Sequence, residues 1–208
     1  VGKSADLKTT AKRIMFGKTL NAGQICLAPD YVVVHKDQKD DFINETKNAV
    51  SDYFPDLKDN DDYTSIINQN HYDRLQDLLN DAVEKGATID EINPANEDFS
   101  QQEHFKIPPT IVSNTTDDMK IMQEEIFGPL LPVVEYDEID EATKLINSKD
   151  RPLGLYYFGN DQSEQDNILN KTSSGGVTVN NVISHLQQND LSFGGVGPSG
   201  MGLSLIHI

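Results

Sequence analysis

Apolar residues recur along this chain in two rhythms, one helical and one of short unbroken runs, and together they predict most of its elements. Over residues 5–22, Leu7, Ala11, Ile14 and Met15 fall on one helical face. Ser4 or Asp6 is placed to cap that helix and Gly23 to stop it. The run Tyr-Val-Val-Val at 31–34 is β-branched and short enough for a buried strand. A second helix, over 38–54, repeats Phe42, Ala49, Val50 and Tyr53, with Asp37 as the expected cap and Pro55 as terminator. A third, over 70–84, groups Leu75, Leu78, Leu79 and Ala82, with Gly86 just beyond. Residues 56–63 and 93–104 are acidic, rich in turn formers and read as solvated loops.

From residue 107 apolar strands alternate with polar helices: PPTIV, GPLLPVVEY, a helix over 139–148, LGLYYFG, a helix over 161–171, and GGVTVNN. That alternation predicts an α/β fold with a largely parallel, buried sheet flanked by helices. With no internal repeat, one unit of about 200 residues is the economical reading.

Composition adds exclusions. At 208 residues, 37% hydrophobic and 25% charged, the chain can bury a core like any soluble domain. Its 34 acidic against 17 basic residues give a formal charge of -17, which repels nucleic acid and anionic membranes where no basic patch intervenes; none is visible, so neither partner is expected. One cysteine cannot form an internal disulfide, and neither a secretory signal nor a span of about 20 apolar residues is present, so a reducing, cytoplasmic compartment is the default. The chain opens at Val1 close to helical periodicity and ends in the apolar GLSLIHI, so both ends read as truncations.

The candidate chemistry begins with that cysteine. Cys26 lies in NAGQICLAPDYVVV, in a helix-to-strand connection between a Gly-bearing turn and a Pro-Asp pair. A thiol there is either a small packing residue or a nucleophile, and its setting alone leaves both open. EEIFGP at 124–129 sets two carboxylates beside an aromatic and a Gly-Pro break; it suits a helix-ending turn or a ligand bearing hydroxyls and an aromatic part. The segment 193–202, with Gly194, Gly195, Gly197, Gly200 and Gly202, allows close backbone approach or a phosphate cradle. Gly2-Lys3-Ser4 lacks the earlier glycine and preceding strand of a phosphate loop, so Ser4 reads as a helix cap. Histidines 35, 71, 104, 185 and 207 have no metal-ligand spacing, and no metal is expected; His185, after a strand end, reads as an ordinary loop histidine.

Taken in order, NAGQICLAPDYVVV, EEIFGPLLPVVEY and TSSGGVTVNNVISHLQQNDLSFGGVGPSGMG resemble the aldehyde dehydrogenase superfamily. The likeness is nearest to the class 3-like branch acting on fatty and aromatic aldehydes, and it runs from residue 1 to about 202. It implies a catalytic domain spanning 1–202, with 203–208 a tail that does not match the family. It also implies an aldehyde substrate, NAD or NADP as cofactor and a homodimeric parent. Cys26 matches the family nucleophile, which attacks the aldehyde to give a thiohemiacetal and then a thioester that water cleaves. Glu125 and Phe127 match residues that hold the nicotinamide ribose and pack beside the nicotinamide. Ile25, Leu186 and Phe193 match positions lining the aldehyde pocket; all are apolar, which favours an apolar aldehyde, though a packing role for Leu186 stays open.

Departures from the family pattern matter as well. The general-base glutamate, the oxyanion asparagine and the Rossmann-type cofactor domain of relatives lie upstream of the segment matching Val1. Leu191-Ser192-Phe193 stands where relatives read Leu-Pro-Phe, which is expected to loosen that turn. These 208 residues alone are therefore expected to be nearly inactive. Two other readings are a non-catalytic interaction domain that keeps the fold and a cysteine-dependent hydrolase, which would need a histidine beside Cys26.

Overall fold

A computed structural model describes residues 1–200. The expectations for Met201, Gly202, His207 and the tail at 203–208 lie outside the described residues. Helix α1 (Leu7–Thr19) starts at Asp6, whose carboxylate accepts the Thr9 N–H at 2.8 Å. Ser4 is not the cap. Its Oγ accepts the N–H groups of Asn160 and Asp161 and so ties the start of α1 to a distant turn. The helix also stops short of Ala22: Leu20 leaves helical geometry, and Asn21, Ala22 and Gly23 follow with φ of 51°, 51° and 74°.

Strand β1 (Val32–His35) leads through a short 3₁₀ turn into α2 (Lys39–Tyr53). Asp37 does not cap α2, because it sits inside that turn, where its own N–H donates to His35 Nδ1. Helix α3 (Gln69–Glu84) is capped by Asn68, which accepts the His71 N–H at 3.0 Å. There follow β2 (Thr88–Glu91), β3 (Thr110–Ser113), β4 (Leu130–Tyr136), α4 (Ile139–Ser148), β5 (Gly154–Tyr157), α5 (Gln162–Lys171) and β6 (Gly176–Val179).

The strands form a four-stranded sheet in the order β1-β4-β3-β2 and a separate pair, β5-β6. Every pairing is parallel except β2 with β3, so the fold is α/β with a mixed, mostly parallel sheet. β2 escaped the sequence pattern because Thr-Ile-Asp-Glu is a half-exposed antiparallel edge, which needs no apolar run. Period-two alternation divides the larger sheet between two cores. Ile111 and Leu131 join Ile14, Met15, Phe42 and Val50 of α1 and α2, while Val112 and Leu130 join Leu75, Leu78 and Ala82 of α3.

β1 and β4 are parallel neighbours, with Val32 opposite Val133. The segments that feed them, the Cys26 loop before β1 and the 124–129 turn before β4, therefore arrive at the same end of the sheet. Chain topology alone thus brings together two motifs about a hundred residues apart.

Candidate functional site

The Cys26 loop begins with three successive residues in the left-handed region, Asn21, Ala22 and Gly23. For a buried alanine that conformation costs on the order of 1–2 kcal/mol, so the surroundings must hold it. Gln24 does much of this. Its Nε2 donates to the carbonyls of Asn21 and Ser65, both at 3.0 Å, and its Oε1 accepts the Ile67 N–H at 2.9 Å. On the other side Tyr156 of β5 donates from Oη to the Leu27 carbonyl at 2.8 Å. Between these supports Cys26 is exposed, as a nucleophile must be and a packing residue need not be.

The 124–129 turn docks directly on this loop. A Cβ built on Gly23 would lie 2.2 Å from the Gly128 carbonyl oxygen, so the two backbones are in contact at a spot where only glycine fits. Asp30, from the end of the Cys26 loop, accepts the Ile126 N–H at 3.0 Å. Arg74 of α3 donates to the Glu125 carbonyl at 3.2 Å and to the Ile126 carbonyl. Glu125 and Phe127 flank this held peptide, and both side chains are exposed.

The electrostatics are linked. Although the Cys26 side chain reaches solvent, the surrounding loop partly desolvates it and pushes the thiol above its ordinary range; the N–H groups of Cys26 and Leu27 oppose that rise, and the Glu125 carboxylate adds to it. Glu125, though exposed, is itself pushed up, by partial desolvation of its carboxylate first and by Asp30 second, with Arg74 opposing. Beneath them Lys18 is fully buried, and desolvation lowers its ammonium from 10.5 to about 8 against the pull of Asp30. Without further activation, then, Cys26 is a protonated thiol at neutral pH.

The structure thus joins Cys26, Glu125 and Phe127, with Ile25 half-buried next to the thiol. Leu186 is about half exposed in a 3₁₀ turn beside His185, whose ring lies 6.2 Å from that of Tyr156. Phe193 is half-buried and precedes Gly194, whose carbonyl packs against Gly175, the residue before β6. His185 Nδ1 is paired with Thr178 Oγ1 at 2.9 Å, and burial lowers its pKa; among the described residues no histidine bonds to Cys26. Sequence reasoning missed Gln24, Asp30, Arg74 and Tyr156. The first two stood inside a quoted motif, but Arg74 and Tyr156 act on backbone carbonyls far away in sequence and leave no local signal. Two shallow surface clefts, one lined by Lys58 and His104 among others and one by Lys39 and Asp90 among others, include no residue of the Cys26 loop or the 124–129 turn. Among the described residues no group of three or more His, Cys, Asp or Glu could hold a metal, and no helix is long and apolar enough to cross a membrane.

Comparison with known proteins places these motifs in one family, whose model, "Aldehyde dehydrogenase family", matches residues 1–207. The chain belongs to the aldehyde dehydrogenase family. It is 58% identical over 202 residues to a probable coniferyl aldehyde dehydrogenase of Caulobacter vibrioides, covering 97% of this chain and 42% of that protein. It is 39% identical to aldehyde dehydrogenase family 3 member A2 of Mus musculus, with 97% and 40% covered, in line with the class 3-like resemblance. Among solved structures, substrate-bound AldH of Staphylococcus aureus superposes with a TM-score of 0.87 at 39% identity, covering 97% of this chain and 42% of that one. A double mutant of betaine aldehyde dehydrogenase from the same species, solved with NAD+, gives 0.83 at 26% identity, with 96% and 40% covered. The chain therefore has the aldehyde dehydrogenase fold and spans about two fifths of the length of the curated relatives it matches.

Proposed function

We propose that these residues form the catalytic-domain part, over 1–202, of a nicotinamide-dependent aldehyde dehydrogenase that oxidises an apolar aliphatic or aromatic aldehyde to the carboxylic acid. The observation that carries this reading is the docking of the 124–129 turn on the Cys26 loop, which sets an exposed thiol and an exposed carboxylate-aromatic pair side by side. Cys26 Sγ, once deprotonated, attacks the aldehyde carbonyl to form a thiohemiacetal. After oxidation the acyl group remains on sulfur as a thioester, which water cleaves to release the acid and the thiol. The Cys26 and Leu27 N–H groups that favour the thiolate also suit the oxyanion that develops on the aldehyde oxygen.

Glu125 would hold the nicotinamide ribose, because one carboxylate accepts from two neighbouring hydroxyls, and Phe127 would offer the ring a flat apolar face. NAD or NADP, when bound, supplies the hydride acceptor. Ile25, Leu186 and Phe193 would line the aldehyde side. Phe16 and Leu20, one helical turn apart and both exposed at the end of α1, add apolar surface just before the Cys26 loop. The family resemblance supports a homodimeric parent, and a free thiol suits a reducing compartment such as the cytoplasm.

By themselves these 208 residues are expected to turn over very little, since the general base and oxyanion asparagine expected from the resemblance are not among them. The test labels Cys26 with a thiol-directed aldehyde analogue, read by mass spectrometry, with and without NAD and with Cys26→Ala as control. Labelling at Cys26 that responds to NAD supports the reading. Labelling no faster than a free thiol, and indifferent to NAD in the intact protein containing these residues, overturns it.

A further inference from the structure

The 124–129 turn carries both side chains assigned above to the nucleotide, yet its own sequence does not explain its conformation. Phe127 has φ of 48°, a left-handed geometry that costs a non-glycine residue on the order of 1–3 kcal/mol unless neighbours enforce it. The enforcement is visible at the preceding residue. The N–H of Ile126 donates to Asp30 Oδ1 at 3.0 Å, and its carbonyl accepts from Arg74 Nη2. Arg74 Nη1 reaches the Glu125 carbonyl at 3.2 Å and the Glu124 carboxylate at 3.4 Å. The Ile126 side chain is fully buried in the core that also holds Leu75, one residue along α3 from Arg74.

The two holding groups come from different directions. Asp30 ends the loop that carries Cys26, and Arg74 projects from α3. One fixes the turn relative to the nucleophile and the other relative to the core. A guanidinium is suited to its part because it offers several donors in a fixed fork to two successive carbonyls; an ammonium would serve one at a time.

We propose that Asp30 and Arg74 are positioning residues that clamp the Ile126 peptide by its N–H and its carbonyl, and so present Glu125 and Phe127 to the nicotinamide nucleotide in fixed register with Cys26. This rests on the function proposed above. Neither residue takes part in bond making. Loss of either lets the turn relax toward ordinary φ, which weakens nucleotide binding but leaves the thiol's own reactivity in place.

The test uses the intact protein that contains these residues and compares Asp30→Ala, Asp30→Asn, Arg74→Met and Arg74→Lys. Asp30→Ala and Arg74→Met are expected to raise the KM for nucleotide about tenfold or more, with kcat at saturating nucleotide and nucleotide-free alkylation of Cys26 within about twofold of wild type. Asp30→Asn, which keeps the acceptor oxygen, is expected to restore most of the loss, and Arg74→Lys only part. Arg74 is partly exposed, so its variants stay informative if Asp30→Ala fails to fold. If Glu125→Gln raises the nucleotide KM and Arg74→Met does not, the clamp is wrong and the reading of the turn stands. If Glu125→Gln leaves that KM unchanged as well, the functional reading itself fails.

Discussion

Gly23 and Gly128 meet backbone to backbone, with space for no side chain at Gly23, where a Cβ would fall 2.2 Å from the Gly128 carbonyl oxygen. One residue belongs to the loop carrying Cys26, the other to the turn carrying Glu125 and Phe127. Gly23→Ala is expected to fail twice over, because φ at this position is 74° and the added methyl has no space. The expected cost is about 2 kcal/mol or more in urea denaturation, together with loss of any nucleotide effect on Cys26 labelling. Wild-type stability in this variant would mean that the two segments are not docked as described.

The charge of Glu125 acts on Cys26 as well. An anion beside a thiol disfavours the thiolate, and Glu125 is among the groups that raise the Cys26 pKa, after burial. Glu125→Gln is therefore expected to move the pH profile of iodoacetamide alkylation at Cys26 to lower pH, with faster alkylation at neutral pH than in wild type. On the function proposed above, the same substitution is also expected to weaken nucleotide binding, so a more reactive thiol would accompany a poorer nucleotide site. An unmoved profile would show that solvent screens the two groups from each other.

How far the sequence reveals this arrangement depends on the range of the interaction. Helical periodicity places α3 and α4 closely, because Leu75, Leu78 and Ala82 record a buried face within a few turns of chain. Capping is harder to read: Asp6 and Asp37 look alike in sequence, but only Asp6 accepts a helical N–H, since the residues around Asp37 close a 3₁₀ turn first. The separation of β5 and β6 into their own sheet is a tertiary outcome with no local sign. Cys26 stands out as the only cysteine, and Glu125 and Phe127 through family resemblance. Arg74 stands out in neither way. It binds main-chain carbonyls about fifty residues away, and any sequence there offers carbonyls.

Tyr63 tests the packing between Phe54, at the end of α2, and Ile107. Its ring is buried and meets Phe54 edge-on at 5.2 Å, and its hydroxyl donates to the Ile107 carbonyl at 2.6 Å. Tyr63→Phe keeps the ring and leaves that carbonyl without its partner, at a cost of about 1–3 kcal/mol. Chemical denaturation is expected to show a lower midpoint with an unchanged slope. A loss below a few tenths of a kcal/mol would mean that water takes over the carbonyl.

Lys18 predicts an alkaline rise in stability whose sign follows from its burial. It is 1% exposed, and desolvation lowers its pKa from 10.5 in the unfolded chain to about 8 in the folded one, against the attraction of Asp30. Between those values the unfolded chain binds the extra proton, so stability climbs as pH rises through that window; below about pH 8 the cost of the buried charge is constant at about 3 kcal/mol. From about pH 9 upward the Cys26 thiol and the buried tyrosines oppose this climb: burial raises them in the fold, Tyr63 furthest, so their ionisation in the unfolded chain draws the equilibrium away from the fold. Unfolding free energy is therefore expected to be higher at about pH 9 than at about pH 7.5, and the Lys18→Met variant to lose that climb. The slope is the quantity to compare, because removing Lys18 also strips Asp30 of its countercharge and shifts the absolute stability. A wild-type chain that shows no climb, or a Lys18→Met chain that keeps it, would mean that the ammonium reaches water in the folded state.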